Sequence, residues 1–256
     1  MLTISPISAF DDNYIWILHQ HGNKNCVVVD PGDEDPVLDY LRAQQLNLEA
    51  ILITHHHFDH TAGIEQLVRE TGADVYGPAN EKIPELQFPL KEPDQFKLEQ
   101  SGLGFSVLDV PGHTRGHIAY LIEDVLFSGD CLFAAGCGRL FEETAEQMYQ
   151  SISKLSNLPD ATRVYCAHEY TEANLKFALA VENNNSDIAN RLQQVMTDRA
   201  NNKSTIPTTI AMEKLTNPFM RCHLKPLNEA AKSYSGEQPC SESETFATIR
   251  QWKDSF

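Results

Sequence analysis

Four side chains that can bind a metal ion lie within one short segment of the sequence. His55, His57, Asp59 and His60 directly follow a hydrophobic run that ends at Ile53. Because alternate side chains of an extended strand point to the same side, we expect the first two histidines to face one ion. Neutral imidazoles and carboxylates are usual protein ligands of zinc and iron. The segment therefore predicts a metal site.

Three further potential ligands follow hydrophobic runs elsewhere in the chain. His113 lies in a turn flanked by Gly112 and Gly116, while Asp130 and His168 each come directly after a predicted strand. A single histidine or aspartate in a turn is typical of a protein surface. Their repeated position at strand ends favours a shared site, because active sites of layered α/β proteins lie on loops at one edge of the sheets.

Together these potential ligands outnumber the three or four that one zinc ion takes, so the set favours two ions. The residues are His55, His57, Asp59, His60, His113, Asp130 and His168. A carboxylate such as Asp130 can bridge two cations, and ions about 3.5–4 Å apart can share a hydroxide that attacks a substrate. We expect two divalent ions per chain, with zinc favoured and iron or manganese as alternatives.

The other histidines are expected to have supporting or surface positions. His56 should point away from its neighbours and be structural, and His117 could orient a ligand without touching the metal. Asp30, which also ends a predicted strand, is interpreted as a turn or supporting carboxylate. Surface positions are expected for His19, His21 and His223.

The secondary structure that the sequence predicts around these residues changes along the chain. Up to about Cys166, short β-rich runs separated by turns predict a mixed α/β sandwich. Expected strands cover 14–18, 26–29, 51–53, 105–108, 118–122 and 164–166. Between them, Asp35 as N-cap and Pro36 as first helical residue predict a helix to about Gln45. A second helix is expected from Ala145 to Leu155.

After Tyr170 the apolar residues recur at helical spacing, which predicts a separate helical unit. Ser241 and Glu244 resemble a capping box that opens a last helix, with Phe246 and Ile249 on its apolar side. On that helix Arg250 and Lys253, three residues apart, should share a face. Such a pair is usually a solvated helix face.

Composition and charge exclude several classes of protein. Hydrophobic residues make up 41% and charged residues 22% of the chain, as in ordinary globular proteins. No apolar run approaches the ~18 residues of a membrane span. A formal net charge of −16 argues against a nucleic-acid partner and requires a local basic patch for any anionic substrate. Scattered cysteines and the lack of a secretory signal predict free thiols and a cytoplasmic location.

The segment from Thr54 to His60 resembles the H-x-H-x-D-H signature of the metallo-β-lactamase superfamily, and the later ligands match its other metal positions. The fold that this resemblance implies is an α/β, αββα metallo-β-lactamase-like sandwich with a C-terminal helical domain. Superfamily members catalyse several reactions, so the resemblance does not by itself define the activity.

A narrower resemblance, to the glyoxalase II (hydroxyacylglutathione hydrolase) family of bacterial type, extends over nearly the whole chain. The motifs that carry it are Asp12-Asn13-Tyr14, Gly129-Asp130-Cys131-Leu132-Phe133, Ala135-Gly136-Cys137-Gly138-Arg139, Ala167-His168-Glu169-Tyr170-Thr171, Asn217-Pro218-Phe219 and Arg250-x-x-Lys253. The resemblance implies a catalytic domain over 1–170 and a helical substrate-binding domain over 171–256. It also implies one ion held by His55, His57 and His113, another by Asp59, His60 and His168, and Asp130 as the bridge.

The same resemblance implies how a glutathione thioester is held. The positions that match the family's binding residues are Arg139, Tyr170, Arg250 and Lys253, which would supply the required basic patch. Phe141 stands where animal members have tyrosine, so it can pack against the substrate but cannot donate a hydrogen bond. Cys131 occupies a position where threonine is frequent.

The activity implied is hydrolysis of S-(2-hydroxyacyl)glutathione, chiefly S-D-lactoylglutathione, to glutathione and D-lactate in methylglyoxal degradation. Attack by a metal-bridging hydroxide is expected, with Asp130 bridging and Asp59 also able to orient the nucleophile. Alternatives are a persulfide dioxygenase with a single iron on the same fold, and a non-catalytic module that binds metal or glutathione. The chain is expected to act as a monomer, with no membrane partner.

Overall fold

The computed structural model describes residues 1–256, which form two compact units. Unit 1 comprises Met1–Asp109 with Arg115–Gly129, and unit 2 comprises Val110–Thr114 with Asp130–Phe256. None of the helices combines the length and the apolar character needed to cross a membrane.

Unit 1 contains a six-stranded mixed sheet and three helices. The strands are β1 (Leu2–Ala9), β2 (Asn13–Gln20), β3 (Asn25–Val29), β4 (Asn47–Leu52), β5 (Asp74–Pro78) and β6 (Phe88–Leu90). They lie side by side in chain order, antiparallel from β1 to β3 and parallel from β3 to β6. The helices are α1 (Glu34–Gln44), α2 (Phe58–Thr61) and α3 (Ile64–Thr71), and they connect the parallel strands.

A second set of strands in unit 1 faces this sheet. β7 (Gln95–Lys97), β8 (Gly104–Asp109), β9 (Ile118–Ile122) and β10 (Val125–Gly129) are antiparallel neighbours in chain order. The Tyr120 hydroxyl, from β9, donates a hydrogen bond of 2.8 Å to the Ile53 carbonyl beyond β4. Phe96 of β7 stacks on Tyr76 of β5 with ring centroids 4.8 Å apart. These contacts fill the interior of a β-sandwich.

The first helix begins earlier than the sequence predicted. Asp33 is the N-cap, and its side chain accepts a hydrogen bond from the Asp35 N–H. Pro36 still lies in the first turn, where the backbone N–H groups have no partner within the helix. The assignment of Asp35 as N-cap was therefore wrong by two residues, whereas the helix ends close to the predicted position, with Gln45 as its C-cap.

Unit 2 is mainly helical. Its helices are α4 (Ala145–Ser156), α5 (Thr171–Val181), α6 (Ser186–Ala200), α7 (Ile210–Thr216), α8 (Lys225–Ser235) and α9 (Glu242–Ser255), with a 3₁₀ turn at Pro218–Met220. Its short strands are β11 (Leu132–Phe133), β12 (Gly136–Cys137), β13 (Arg163–Cys166) and β14 (Thr208–Thr209). The predicted helix from Ala145 is confirmed, and so is the helical character of the chain after Tyr170.

The last helix has only part of the predicted capping box. Ser241 is the N-cap and accepts a hydrogen bond of 3.1 Å from the Glu244 N–H. The Glu244 carboxylate accepts from the Cys240 N–H and not from that of Ser241. Phe246 and Ile249 are fully buried, so the predicted apolar side of the helix is confirmed.

Candidate metal centre

The first group of potential ligands lies on the loop after β4 and on α2, within unit 1. β4 ends at Leu52, so the histidines follow a strand as predicted, but the strand alternation that was expected to pair His55 with His57 does not apply to them. The His55 Nε2 nevertheless lies 3.1 Å from the His57 Nδ1. His57 is the N-cap of α2, whose single turn carries Asp59 and His60. A tight loop and one helical turn therefore gather all four side chains.

A buried carboxylate fixes the tautomer of His55. The Asp30 side chain accepts hydrogen bonds from the Thr54 N–H at 2.8 Å and from the Thr54 hydroxyl at 2.7 Å. Because that hydroxyl proton points to Asp30, the Thr54 oxygen is an acceptor for the His55 Nδ1–H at 3.0 Å. The lone pair of His55 is then on Nε2, which faces His57 and is available to a metal ion.

The same carboxylate also reaches His60, which is buried. The His60 Nδ1 lies 3.1 Å from Asp30 Oδ2, and its Nε2 lies 3.5 Å from Asp59 Oδ2. The Asn13 amide donates a hydrogen bond of 2.9 Å to Asp59 Oδ2. A Cβ at Gly32 would lie 1.8 Å from the Asp59 carbonyl oxygen, so only glycine permits this backbone approach. Asp59 is thus positioned through both its side chain and its backbone.

His56 and His117 occupy different surroundings in unit 1. The His117 ring is fully buried and stacks on His55, with centroids 4.7 Å apart and an interplanar angle of 17°. His56 is directed elsewhere, with its Nδ1 3.0 Å from Glu81 Oε2. His56 therefore contacts Glu81 and not a carboxylate of the ligand set, while the supporting roles of both histidines stay predictions.

The second group of potential ligands lies within unit 2 and is also buried. The Nε2 atoms of His113 and His168 each lie 3.4 Å from Asp130 Oδ2. The His113 Nδ1–H donates a hydrogen bond of 2.9 Å to the Arg139 carbonyl oxygen. This bond leaves the lone pair of His113 on Nε2, the nitrogen that faces Asp130.

Close backbone packing holds this second group. A Cβ at Gly138 would lie 2.1 Å from the Asp130 carbonyl oxygen and 2.9 Å from the His113 Nδ1. Any side chain at this position would displace one of the two ligands or the backbone that carries them. The glycine loop after β12 is therefore part of the support of the cluster.

Three residues expected to bind substrate lie around the second group. The Tyr170 ring stacks on His168 with centroids 4.7 Å apart, and the exposed Phe141 ring meets His113 edge-on at 5.3 Å. The largely exposed Arg139 side chain lies 3.6 Å from the Asp254 carboxylate. Aromatic and cationic groups are therefore within reach of a ligand at His113 and His168.

Arg250 and Lys253, the other two expected substrate-binding residues, differ in their surroundings. Arg250 is only 4% exposed, and its guanidinium donates to the Cys137 carbonyl and to Asp254. It therefore does not lie on a solvated helix face. Lys253 is half-buried with its Nζ 5.2 Å from the centre of the Phe177 ring. Burial, and then the neighbouring Arg250 charge, lowers the pKa of Lys253 to about 8.

The cysteines near this loop do not provide a nucleophile. Cys131 and Cys137 are buried, and burial raises the pKa of Cys131 well above its usual value and that of Cys137 to about 11. Both thiols are therefore neutral at physiological pH.

Comparison with known proteins identifies the family. The sequence model of the Metallo-beta-lactamase superfamily matches residues 10–168, and that of the Hydroxyacylglutathione hydrolase C-terminus matches residues 169–256. A Hydroxyacylglutathione hydrolase of Alkalilimnicola ehrlichii is 52% identical over 254 residues, covering 99% of each chain. This chain belongs to the hydroxyacylglutathione hydrolase family.

The fold is that of the metallo-β-lactamase superfamily. The crystal structure of ETHE1 from Myxococcus xanthus is similar with a TM-score of 0.69 and 26% identity, covering 97% of this chain and 90% of that one. The prediction of a metallo-β-lactamase-like α/β fold with a C-terminal helical domain is confirmed.

The side chains present fit a metal centre of this hydroxyacylglutathione hydrolase family. Imidazoles and carboxylates dominate both groups, and the tautomers of His55 and His113 leave Nε2 lone pairs available to divalent ions. A structure described as TTHA1623 in a di-iron-bound form is 26% identical with a TM-score of 0.59, covering 84% of this chain and 99% of that one. The fold and the His/Asp clusters indicate dinuclear metal binding.

Several supporting residues escaped the sequence analysis. Thr54 and Glu81 were not assigned a role, and the glycine at 138 was noted only as part of a motif. Asn13 was likewise quoted without a role. A side-chain hydrogen bond between residues far apart in sequence leaves no periodic signal, so only the position of Asp30 at a strand end gave a hint.

Proposed function

We propose that this chain hydrolyses S-(2-hydroxyacyl)glutathione, chiefly S-D-lactoylglutathione, to glutathione and D-lactate, as a step of methylglyoxal degradation. The observation that carries the proposal is the 52% identity, over 99% of both chains, to a protein named Hydroxyacylglutathione hydrolase. In the reaction, water adds its oxygen to the thioester carbon and the carbon–sulfur bond breaks. The glutathione thiolate leaves more easily than an amine, so no strong general acid is required.

The metal ligands that we propose come from both groups of side chains. His55, His57 and His113 would hold one ion, Asp59, His60 and His168 the other, and Asp130 would bridge them. Distances within each unit support this assignment. The His55 Nε2 lies 3.1 Å from the His57 Nδ1, and the Nε2 atoms of His113 and His168 each lie 3.4 Å from Asp130 Oδ2. Zinc is the ion we favour, with iron or manganese as alternatives.

Such ions, when bound, supply an activated hydroxide near neutral pH and stabilise negative charge on a carbonyl oxygen. The chain's own residues set the geometry in which this chemistry takes place. Thr54 and the Arg139 carbonyl accept the Nδ1 protons of His55 and His113, which keeps both Nε2 atoms unprotonated. Asn13 holds one oxygen of Asp59, and Asp59 would orient the nucleophile.

The glutathione moiety would lie against unit 2. We propose that Tyr170 and Phe141 contact the thioester substrate, while Arg139, Arg250 and Lys253 attract its carboxylates. Arg250 is also hydrogen-bonded to the Cys137 carbonyl and to Asp254, so it would in addition hold α9 and the glycine loop in place. We assign a catalytic domain to 1–170 and a substrate-binding domain to 171–256, a division supported by the family matches that meet at 168 and 169.

A cytoplasmic monomer is the form in which we expect the protein to act. All six cysteines are free thiols, five of them buried, which suits a reducing compartment. The net charge of −16 opposes a nucleic-acid partner.

The decisive experiment measures glutathione release from S-D-lactoylglutathione together with the metal content of the protein. Asp130→Ala should lose metal and lower turnover by more than about 100-fold, because changes outside the ligand shell already cost about 10–100-fold. Asp39→Ala, at an exposed side chain of α1, is the matched control and should behave as wild type. Full turnover by the chelated protein or by Asp130→Ala would overturn the mechanism. Oxygen uptake with glutathione persulfide, without thioester cleavage, would instead favour the dioxygenase.

A further inference from the structure

Glu81 is a buried carboxylate that the proposed reaction does not use. It lies between β5 and β6, and its side chain is only 3% exposed. Its Oε1 accepts a hydrogen bond of 3.0 Å from the Gly116 N–H, and its Oε2 lies 3.0 Å from the His56 Nδ1. Burial of a carboxylate is unfavourable unless it is hydrogen-bonded, so both oxygens contribute to keeping Glu81 in place.

The two partners of Glu81 belong to two loops of unit 1. One loop carries ligand residues, and the other contacts one of them. His56 stands between His55 and His57 in the sequence. Gly116 directly precedes His117, whose ring stacks on His55 with centroids 4.7 Å apart. One carboxylate therefore joins the loop that carries two proposed ligands to the loop that packs against one of them.

The fit between Gly116 and Glu81 is close. A Cβ at Gly116 would lie 2.5 Å from Glu81 Cγ and 3.3 Å from the Asn80 carbonyl carbon. The Glu81 N–H in turn donates to the carbonyl of Pro78, the last residue of β5. The carboxylate is thus anchored to a strand of the main sheet, which makes it a rigid support for the two loops.

We propose that Glu81 is a positioning residue of the metal centre. By holding His56 and Gly116 together, it keeps the His55 Nε2 and the His57 Nδ1 close to each other and keeps His117 against the His55 ring. This inference rests on the proposed metal centre, but it adds a residue outside the ligand set and its immediate hydrogen-bond partners. Loss of Glu81 would allow the loop that carries His55 and His57 to move, and would lower the affinity for the metal.

The experiment measures zinc release from the holoenzyme to a chromophoric chelator and the visible spectrum of the Co²⁺-substituted protein. Glu81→Ala should lower zinc affinity by about 10–100-fold, alter the Co²⁺ spectrum, and reduce kcat more than it changes KM. Glu81→Gln should recover much of the affinity, since its amide can accept from Gly116 while His56 adopts the other tautomer. His56→Ala, which keeps the Gly116 bond, should lie between these two. Glu99→Ala, an exposed acid of unit 1, is the charge-matched control.

Wild-type zinc affinity and Co²⁺ spectrum in Glu81→Ala would overturn the inference, even if its melting temperature fell. Should that variant fail to fold, His56→Ala decides, because wild-type zinc affinity and a wild-type Co²⁺ spectrum in that variant would also reject a positioning role. A wild-type protein that binds no metal would refute the proposed centre itself, so the two failures are distinguishable.

Discussion

The two groups of potential ligands are built in different ways. In unit 1 the ligands come from one continuous segment and are held by side chains, since Asp30 reaches His60 directly and reaches His55 through Thr54. In unit 2 the ligands come from three distant segments and are held largely by the backbone, because His113 bonds to the Arg139 carbonyl and Gly138 allows close packing. Side-chain support should tolerate conservative replacement, whereas backbone packing should not.

The strongest test of backbone support is Gly138→Ala. The added Cβ would lie 2.1 Å from the Asp130 carbonyl oxygen and 2.9 Å from the His113 Nδ1, so both ligands must move. We expect near-complete loss of one metal ion and a decrease in unfolding free energy of about 1–3 kcal/mol, as for other overpacked sites. Metal analysis and denaturant unfolding would measure this. Gly104→Ala, whose Cβ would meet nothing closer than 3.8 Å, is the control. Normal metal content in Gly138→Ala would show that the glycine loop does not support the ligands.

Side-chain support in unit 1 is tested by Asp30→Asn. Asn also tolerates the left-handed backbone found at this position, where φ is 53°. The amide can replace only one carboxylate oxygen as acceptor, so its NH₂ must face either the Thr54 N–H, or the Thr54 hydroxyl and the His60 Nδ1 together. We expect a fall of about 10–100-fold in zinc affinity, measured by chelator competition.

The control for this change is Asp33→Asn, because asparagine is an equally good N-cap for α1. If Asp30→Asn loses zinc as completely as Gly138→Ala loses its metal ion, the difference between side-chain and backbone support disappears.

The contrast between the two groups also explains what the sequence could predict. The segment from His55 to His60 lies within one loop and one helical turn, so its chemistry is visible in consecutive residues. From residue types alone, without the family resemblance, the ligands of unit 2 could be proposed only because each follows a strand or turn. The contacts that hold these ligands depend on Gly138 and on the Arg139 carbonyl oxygen. Every residue has a carbonyl oxygen, so residue types alone cannot reveal which one accepts the hydrogen bond.

Three local features of the structure could not be predicted correctly from the residues alone. The N-cap of α1 was misplaced because Asp33 and Asp35 both can cap a helix, and only the folded backbone selects between them. A pair such as Arg250 and Lys253 usually lies on a solvated helix face. The Arg250 side chain instead points inward and donates a hydrogen bond to the Cys137 carbonyl. Glu81 had no sequence signal at all, since its partners are 25 and 35 residues away.

The smallest predicted effect concerns Lys253, a cationic side chain of unit 2. Because the pKa of Lys253 is lowered to about 8, its ammonium is charged below that pH and neutral above it. Attraction of the anionic glutathione moiety should therefore weaken as the pH rises, and KM should increase by about 2- to 5-fold, as expected for one half-exposed ion pair. kcat should be affected much less, because Lys253 is not a metal ligand. Lys253→Arg keeps its charge at all these pH values and should remove the dependence. A KM that rises equally in Lys253→Arg would assign the effect to another group and leave unit 2 without a titrating substrate contact.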